Sequence, residues 1–464
     1  MTVKTEAPAK EKKKLGVMGM ASYGIGNSIG SGIFVMIGSA IAATGKSLPF
    51  ALVLACVVVF FAYLYKTFMA GMFVMPGGRY SQQALLQPPL LVGVSAISMV
   101  FSGLAFAMYG LSIAEYAAEV FPVLDNYREL IALVIITIFF ATTLLGGKVM
   151  GILNVIMVGV LIISLLIYIA VGLPKVDWAS VNPFSEGYFG GGVTGFIYAV
   201  ALLSFACQGS TMPIDMTSDA KDPKRTLPKA IILSSVVILV VYVLIGIVSS
   251  GVLPVEAVAD KNLGVVAREI FPYSVFLIFM IGGACFAIAT SLYSAIAGIR
   301  YPLMATVEDG WLPKFLGIKT KKREYPWVMM LLLYLIAVIP IFVDFGLDEL
   351  VSVMMIPIMV LNTINNLFMI KLVKKYPQAW KHSFFHMPKP AFYASMIFAM
   401  FCSLIITVSL FTQLGGWKKY AMIAMVIFLF VYSYYRLKAG KVDLREIEEA
   451  HAEAERAAAS EEAE

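Results

Sequence analysis

Apolar residues in this chain fall in long runs separated by short polar stretches rich in Lys, Arg, Pro and Gly. A helix that crosses a bilayer needs about 20 largely apolar residues. Runs of that kind occupy 16–43, 48–73, 90–118, 128–145, 149–172, 193–215, 229–251, 273–299, 327–343, 349–371, 391–412 and 419–436. The pattern predicts an all-α integral membrane protein with twelve transmembrane helices.

Composition supports the same class. Apolar residues make up 60% of the chain and charged ones 14%, against about 45–50% and about 25% in a soluble domain. The net charge of +6 would suit a nucleic-acid binder, but the placement of that charge argues otherwise. With the N-terminus inside, every Lys and Arg falls on the inner side except seven: Lys46, Arg128, Lys175, Lys261, Arg268, Lys418 and Lys419. Inner loops retain basic residues, so the charge is a topology signal that places both termini in the cytoplasm and the protein in the cytoplasmic membrane. Cys56, Cys207, Cys285 and Cys402 lie inside apolar runs as isolated packing thiols, and His382, His386 and His451 lie outside the runs, so no metal cofactor is expected. Lys10 to Lys14 precede a long apolar run without a small-residue cleavage site, unlike a secretory signal. The stretch 437–464 reads as a solvated acidic tail, and 1–15 as a cytoplasmic N-terminus.

Two of the runs are interrupted. The first holds Gly24, Gly26, Gly30 and Gly32 with Asn27, Ser28 and Ser31 among them. Each glycine costs a helix interior about 1 kcal/mol relative to Ala. A packing motif keeps small residues to one face, whereas these cover all faces, so the expectation is an unwound segment. The sixth run carries Gln208, Gly209, Ser210, Thr211 and Pro213, polar and helix-breaking residues tolerated at membrane depth only inside protein or beside a cavity. Interruptions in spans one and six point to a five-plus-five inverted repeat, 16–172 and 193–371, with the site between the halves and two extra helices at 391–436. A half-helix starting after Gly30 offers N–H groups to a carboxylate, and one ending near Phe205 offers carbonyls to an ammonium. The candidate substrate residues are Ile25, Asn27, Ile29, Gly30, Ser31 and Gly32, with Phe205, Ala206, Gln208, Gly209 and Ser210. An α-amino acid is the ligand that such a site fits. No charged residue lies in either break, which favours neutral amino acids over cationic ones or polyamines.

With these residues the chain resembles the amino acid–polyamine–organocation superfamily of permeases. Gly30-Ser31-Gly32-Ile33-Phe34 is similar to its first-helix signature, and Pro76-Gly77-Gly78-Arg79-Tyr80 to the loop after helix two. Asp222 to Ala230 resembles the segment entering helix seven, and Asp309-Gly310-Trp311-Leu312-Pro313 the loop after helix eight. The resemblance covers roughly 16–440 and implies alternating access by rocking one helix bundle against another. It also implies that span three lines the site, which adds Tyr109. The chain departs from the family pattern in three respects. Thr211 stands where an acidic gating residue is common, Ser210 where a bulky one is, and Ser218 with Asp219 where two acids are usual.

The driving ion is read from helix eight. Some proton-linked relatives hold a lysine midway along helix five, and 149–174 contains neither Lys nor Arg. Ala287, Thr290 and Ser291 instead resemble the sodium site of the sodium-coupled neurotransmitter transporters, with Gly26 and Ile29 at the positions completing the shell. The other reading is that both hydroxyls bond back to helix carbonyls. Asn362, Asn365 and Asn366 are expected to face protein or a water-filled path. A symporter, an exchanger or a proton-coupled carrier all fit these residues. A membrane enzyme lacks a catalytic group at depth, and a channel would need a repeated pore lining. Expected partners are the amino acid and membrane lipid but not nucleic acid, in a monomer or weak dimer.

Overall fold

In the computed structural model, residues 14–75, 77–145, 147–185, 188–320, 325–343, 346–444 and 449 are described. The basic residues before Lys14, Pro76 of the second motif and the acidic tail beyond residue 444 lie outside them, as do the side chains of Ser31, residues 144–155, Ser218 and Ala297. The first part of the chain folds as α1 (Val17–Thr44), α2 (Leu48–Ala62), α3 (Leu64–Met72), α4 (Gly78–Leu86), α5 (Pro89–Ser98), α6 (Leu104–Val120), α7 (Arg128–Leu145) and α8 (Gly147–Gly172). Then come α9 (Gly192–Cys207), α10 (Pro223–Gly251), α11 (Val255–Val258), α12 (Gly264–Ile270), α13 (Tyr273–Ile278) and α14 (Phe286–Glu308). The last are α15 (Trp327–Val338), α16 (Leu347–Lys375), α17 (Pro377–Lys381), α18 (Lys389–Gln413) and α19 (Gly416–Lys438). Among the described residues the one β pairing is an isolated bridge between Leu15 and Ala220.

Each of the twelve apolar runs is helical. The second is α2 and α3, joined at Tyr63; the third is α5 and α6, joined by a 3-10 turn over Met99–Gly103. The eighth is α13 and α14, joined by a π-helical turn over Phe279–Cys285, a distortion that often accompanies functional sites. Nine helical stretches among the described residues are long and apolar enough to cross a membrane, and Trp327–Phe342 is a shorter apolar helix. Ile162, Ile163 and Leu166 on α8, Phe401, Leu404 and Val408 on α18, and Ile427 and Val431 on α19 are exposed. Apolar faces of that extent have lipid as their natural solvent.

The first helix departs from expectation, because α1 runs from Val17 to Thr44 without a break. Its small residues cover every face because α1 is central, packed against α9, α10, α14 and the segment after α9. A Cβ at Gly32 would overlap Ala206 of α9, and one at Gly30 would overlap Ser291 and the Ala287 carbonyl of α14. At Gly24 it would press on Ser234 of α10, and at Gly38 on the Lys261 backbone. The rule that packing keeps one face fails for a helix with neighbours on several sides. The sixth-run break is present: α9 ends at Cys207, and Gln208–Asp219 continues as a 3-10 segment with Pro213 inside and non-helical backbone at Met216. The cysteines are all free, yet Cys56 and Cys207 are not isolated, since their sulfurs lie 3.3 Å apart between α2 and α9.

Candidate functional site

A cavity of about 180 Å³ opens beside this break. A cavity of about 150 Å³ holds a benzene-sized solute, so the space suits a small metabolite. Its walls come from α1, α3, α4, the end of α5, α6, α9 and the segment after it, α14, α16 and α19. Met99, Phe101, Phe106, Phe205 and Val353 supply apolar surface, while Asn27, Gln208 and Asn362 supply uncharged polar groups. Apolar surface with polar groups converging on it is the usual composition of a small-molecule site.

Of the residues expected at the site, Asn27, Tyr109, Phe205, Gln208 and Gly209 line this cavity. Ile25, Ile29, Gly30, Gly32, Ala206 and Ser210 are not among its lining residues. Ile29, Ala206 and Ser210 are buried in helix contacts instead, and the side chain of Ser31 is outside the described residues. Because α1 is continuous, the N–H groups of residues 30–32 lie within a helix whose ladder uses them. Around α14, Thr290 Oγ1 donates to the Ala287 carbonyl at 2.8 Å and Ser291 Oγ to the Asn27 carbonyl at 3.4 Å. Ala287, Ser291 and α1 thus meet at Gly30, whereas a Cβ at Gly26 would have nothing within 4 Å.

Three charged residues outside the expected set also line the cavity: Lys66, Arg79 and Asp215. The expectation of an uncharged site is corrected here. Asp215 is only six positions beyond Gly209, and Lys66 falls in the second apolar run. An ionisable residue inside an apolar run is a functional signal in its own right, independent of any break. The Asp215 carboxylate, 5% exposed, accepts the Arg79 backbone N–H at 2.9 Å and Nε at 2.8 Å, and pairs with the guanidinium through a second nitrogen. Gly78, at φ 59°, allows this approach, since a Cβ there would come 2.8 Å from Asp215 Cα. The Lys66 ammonium lies 4.3 Å over the Tyr63 ring, a cation–π arrangement, and Tyr63 donates to Gln208 Oε1 at 3.0 Å. Tyr65 donates to Asn362 Oδ1 at 3.2 Å, Gln87 to Asn365 Oδ1 at 2.6 Å, and Asn366 to the Ala62 carbonyl at 3.0 Å. The three asparagines of α16 therefore face protein, as expected, and Asn362 also borders the cavity.

Tyr242 of α10 links the two segments on which the site was expected. Its hydroxyl reaches the Ser28 carbonyl of α1 and the Ala206 carbonyl of α9, and the residue is fully buried. Tyr242→Phe removes the one donor shared by both carbonyls. The expected loss is about 1 kcal/mol of stability, seen as a lower melting temperature in detergent. An unchanged melting temperature would show that the bridge does not hold α1 to α9.

Comparison with known proteins adds the family. The model of the family described as amino acid permease matches residues 15–432. The branched-chain amino acid permease of Bacillus subtilis strain 168 is 28% identical over 338 residues, covering 68% of this chain and 72% of that protein. The branched-chain amino acid permease of Lactococcus lactis subsp. cremoris is 26% identical over 331 residues, covering 66% and 70%. The vacuolar cationic amino acid transporter 4 of Arabidopsis thaliana is 24% identical over 381 residues, covering 76% and 62%.

Proposed function

The chain belongs to the amino acid permease family, and from that premise we propose that it is a secondary carrier of neutral amino acids, working by alternating access in the cytoplasmic membrane. The observation that carries this reading is the small cavity between α1 and the break after Cys207, with Asn27 and Gln208 as uncharged polar groups on its wall and the Asp215 carboxylate already paired with Arg79. Two relatives whose names give branched-chain amino acids as their cargo support an apolar substrate side chain. In the same proposal all twelve helical runs cross the membrane, with both termini in the cytoplasm. The first ten form inverted halves, 16–172 and 193–371. Substrate arrival opens α1 at Gly30 to Gly32, freeing their N–H groups for the carboxylate. Glycines weaken a helix by about 1 kcal/mol each, so this stretch costs less to open than one built on Ala. Gln208 and the carbonyls at the end of α9 face the ammonium.

Counterflow in proteoliposomes tests the reading. Internal unlabelled leucine is expected to accelerate entry of labelled leucine, whereas no acceleration would rule out a carrier of that solute. Thermal shift across the twenty amino acids and putrescine tests the substrate class. Stabilisation by arginine or putrescine alone would overturn the neutral assignment.

Sodium is the coupling ion in this proposal, held by the Ala287 carbonyl, Thr290 and Ser291 against α1. Its support is the meeting of Ser291, Ala287 and α1 at Gly30. Binding there has to displace the hydrogen bond from Thr290 to Ala287. Uptake is expected to depend on sodium and to fall at least tenfold in Thr290→Ala or Ser291→Ala. Equal uptake in sodium and choline buffers would remove sodium from the mechanism and leave exchange or proton coupling.

A further inference from the structure

A second cavity, of about 700 Å³, lies away from the proposed substrate path, between the end of α3, the start of α10 and the turn after α17. Lys224, Arg225 and Lys229 line it from the first two turns of α10, and Asp222 precedes them. No carboxylate pairs with any of the three cations among the described residues, and Asp222 is the single acid on the wall. His382, Ser383 and Phe384 form the opposite side. Net positive charge left uncompensated in a concave site is electrostatic work waiting for an anion.

The wall opposite the cations is fixed. Ser383 donates its N–H to the Trp380 carbonyl at 3.1 Å, and His382 Nδ1 lies 3.0 Å from the Gln378 carbonyl. Gly71 of α3, having no Cβ, lets the Ser383 hydroxyl lie directly against the helix. Beneath the turn, Trp380 packs on Phe68 and Phe392 with ring centroids 5.4 and 4.9 Å apart. These three rings are buried, and they hold the turn in place from below. The sequence of α10 marks the membrane level: its basic residues end at Lys229, and the apolar run begins at Ala230. Phe384 is 46% exposed, and the Lys229 ammonium lies 5.3 Å over its ring. Cations and an exposed aromatic ring thus share one mouth at the depth where a bilayer changes from headgroup to hydrocarbon.

We propose that this cavity binds the phosphate of an anionic phospholipid headgroup, with Lys224, Arg225 and Lys229 as its receptor and Phe384 against the start of the acyl chain. Free inorganic phosphate shares the charge but would gain nothing from the ring or from the membrane level, so the lipid is the occupant. This assignment does not depend on which solute the protein carries.

Native mass spectrometry of the full chain in detergent tests it, with phosphatidylglycerol as probe and phosphatidylcholine as the neutral comparison. Basic residues near a membrane surface strengthen anionic-lipid binding by about fivefold each. The variant Lys224→Gln/Arg225→Gln/Lys229→Gln is therefore expected to bind phosphatidylglycerol about a hundredfold more weakly, with phosphatidylcholine unaffected. Lys371→Gln/Lys374→Gln/Lys375→Gln, which removes three charges from the end of α16 outside the cavity, is expected to bind as the wild type does. Lys229→Gln alone should lose about fivefold, which keeps the test open if the triple variant does not fold. Equal phosphatidylglycerol affinity in wild type and Lys229→Gln, or equal losses in the two triple variants, would overturn the site. Displacement of the lipid by millimolar inorganic phosphate would overturn the choice of occupant.

Discussion

Asp215→Ala is expected to abolish measurable uptake and to lower stability by about 3 kcal/mol, the cost of removing one member of a buried ion pair. Asp215 is almost wholly buried and takes the backbone N–H as well as the guanidinium of Arg79. Its loss leaves a guanidinium beside a cavity that already holds the Lys66 ammonium. It also unties α4 from the segment Gln208–Asp219, the continuation of the broken helix. A drop in uptake alone would not separate a folding role from a transport role. Arg79→Met/Asp215→Leu does so, because replacing both charges by apolar groups of similar size is often neutral or stabilising. We expect the double variant to recover most of the melting temperature and none of the uptake. Recovery of uptake would reduce the pair to a structural clamp, and wild-type stability in Asp215→Ala would show that the pair holds nothing together.

The importance of this pair also marks where the sequence was hard to read. Helix positions were legible because apolar runs of bilayer length leave few alternatives, and the twelve runs all coincide with helices. The break after Cys207 was legible because Pro213 removes a backbone donor and Gln208 and Thr211 put polar groups in an apolar run. The glycines of α1 were not, because glycine has two physical uses, weakening a helix and admitting a neighbour, and sequence spacing separates them only when the number of neighbours is known. Ala206 against Gly32 and Ser291 against Gly30 are contacts between residues more than 170 positions apart, and nothing local announces them. The cavity charges had a local signal in Lys66 and Asp215, each inside an apolar run. Their convergence with Arg79 depends on the fold of α4, and in particular on the positive φ of Gly78.

Gly32→Val should be among the most damaging changes in α1. A Cβ at residue 32 would overlap the Cα of Ala206, and a backbone atom cannot swing aside as a side chain can. The two helices must separate or α9 must shift at the point where it ends. Overpacking costs about 1–3 kcal/mol even where side chains can adjust, so a larger loss is expected here, with no uptake. Ala206→Gly should rescue Gly32→Ala only in part, since it removes the Cβ and not the Cα. Gly26 gives the opposite test, because a Cβ there would have nothing within 4 Å. Gly26→Ala strengthens the helix by about 1 kcal/mol without a clash. If α1 must open near Gly30 during each cycle, that gain stabilises the closed helix against opening. The expected result is a higher melting temperature with uptake slowed several-fold. A higher melting temperature with unchanged uptake would mean that α1 stays helical throughout, and that the carboxylate is received by something other than its N–H groups.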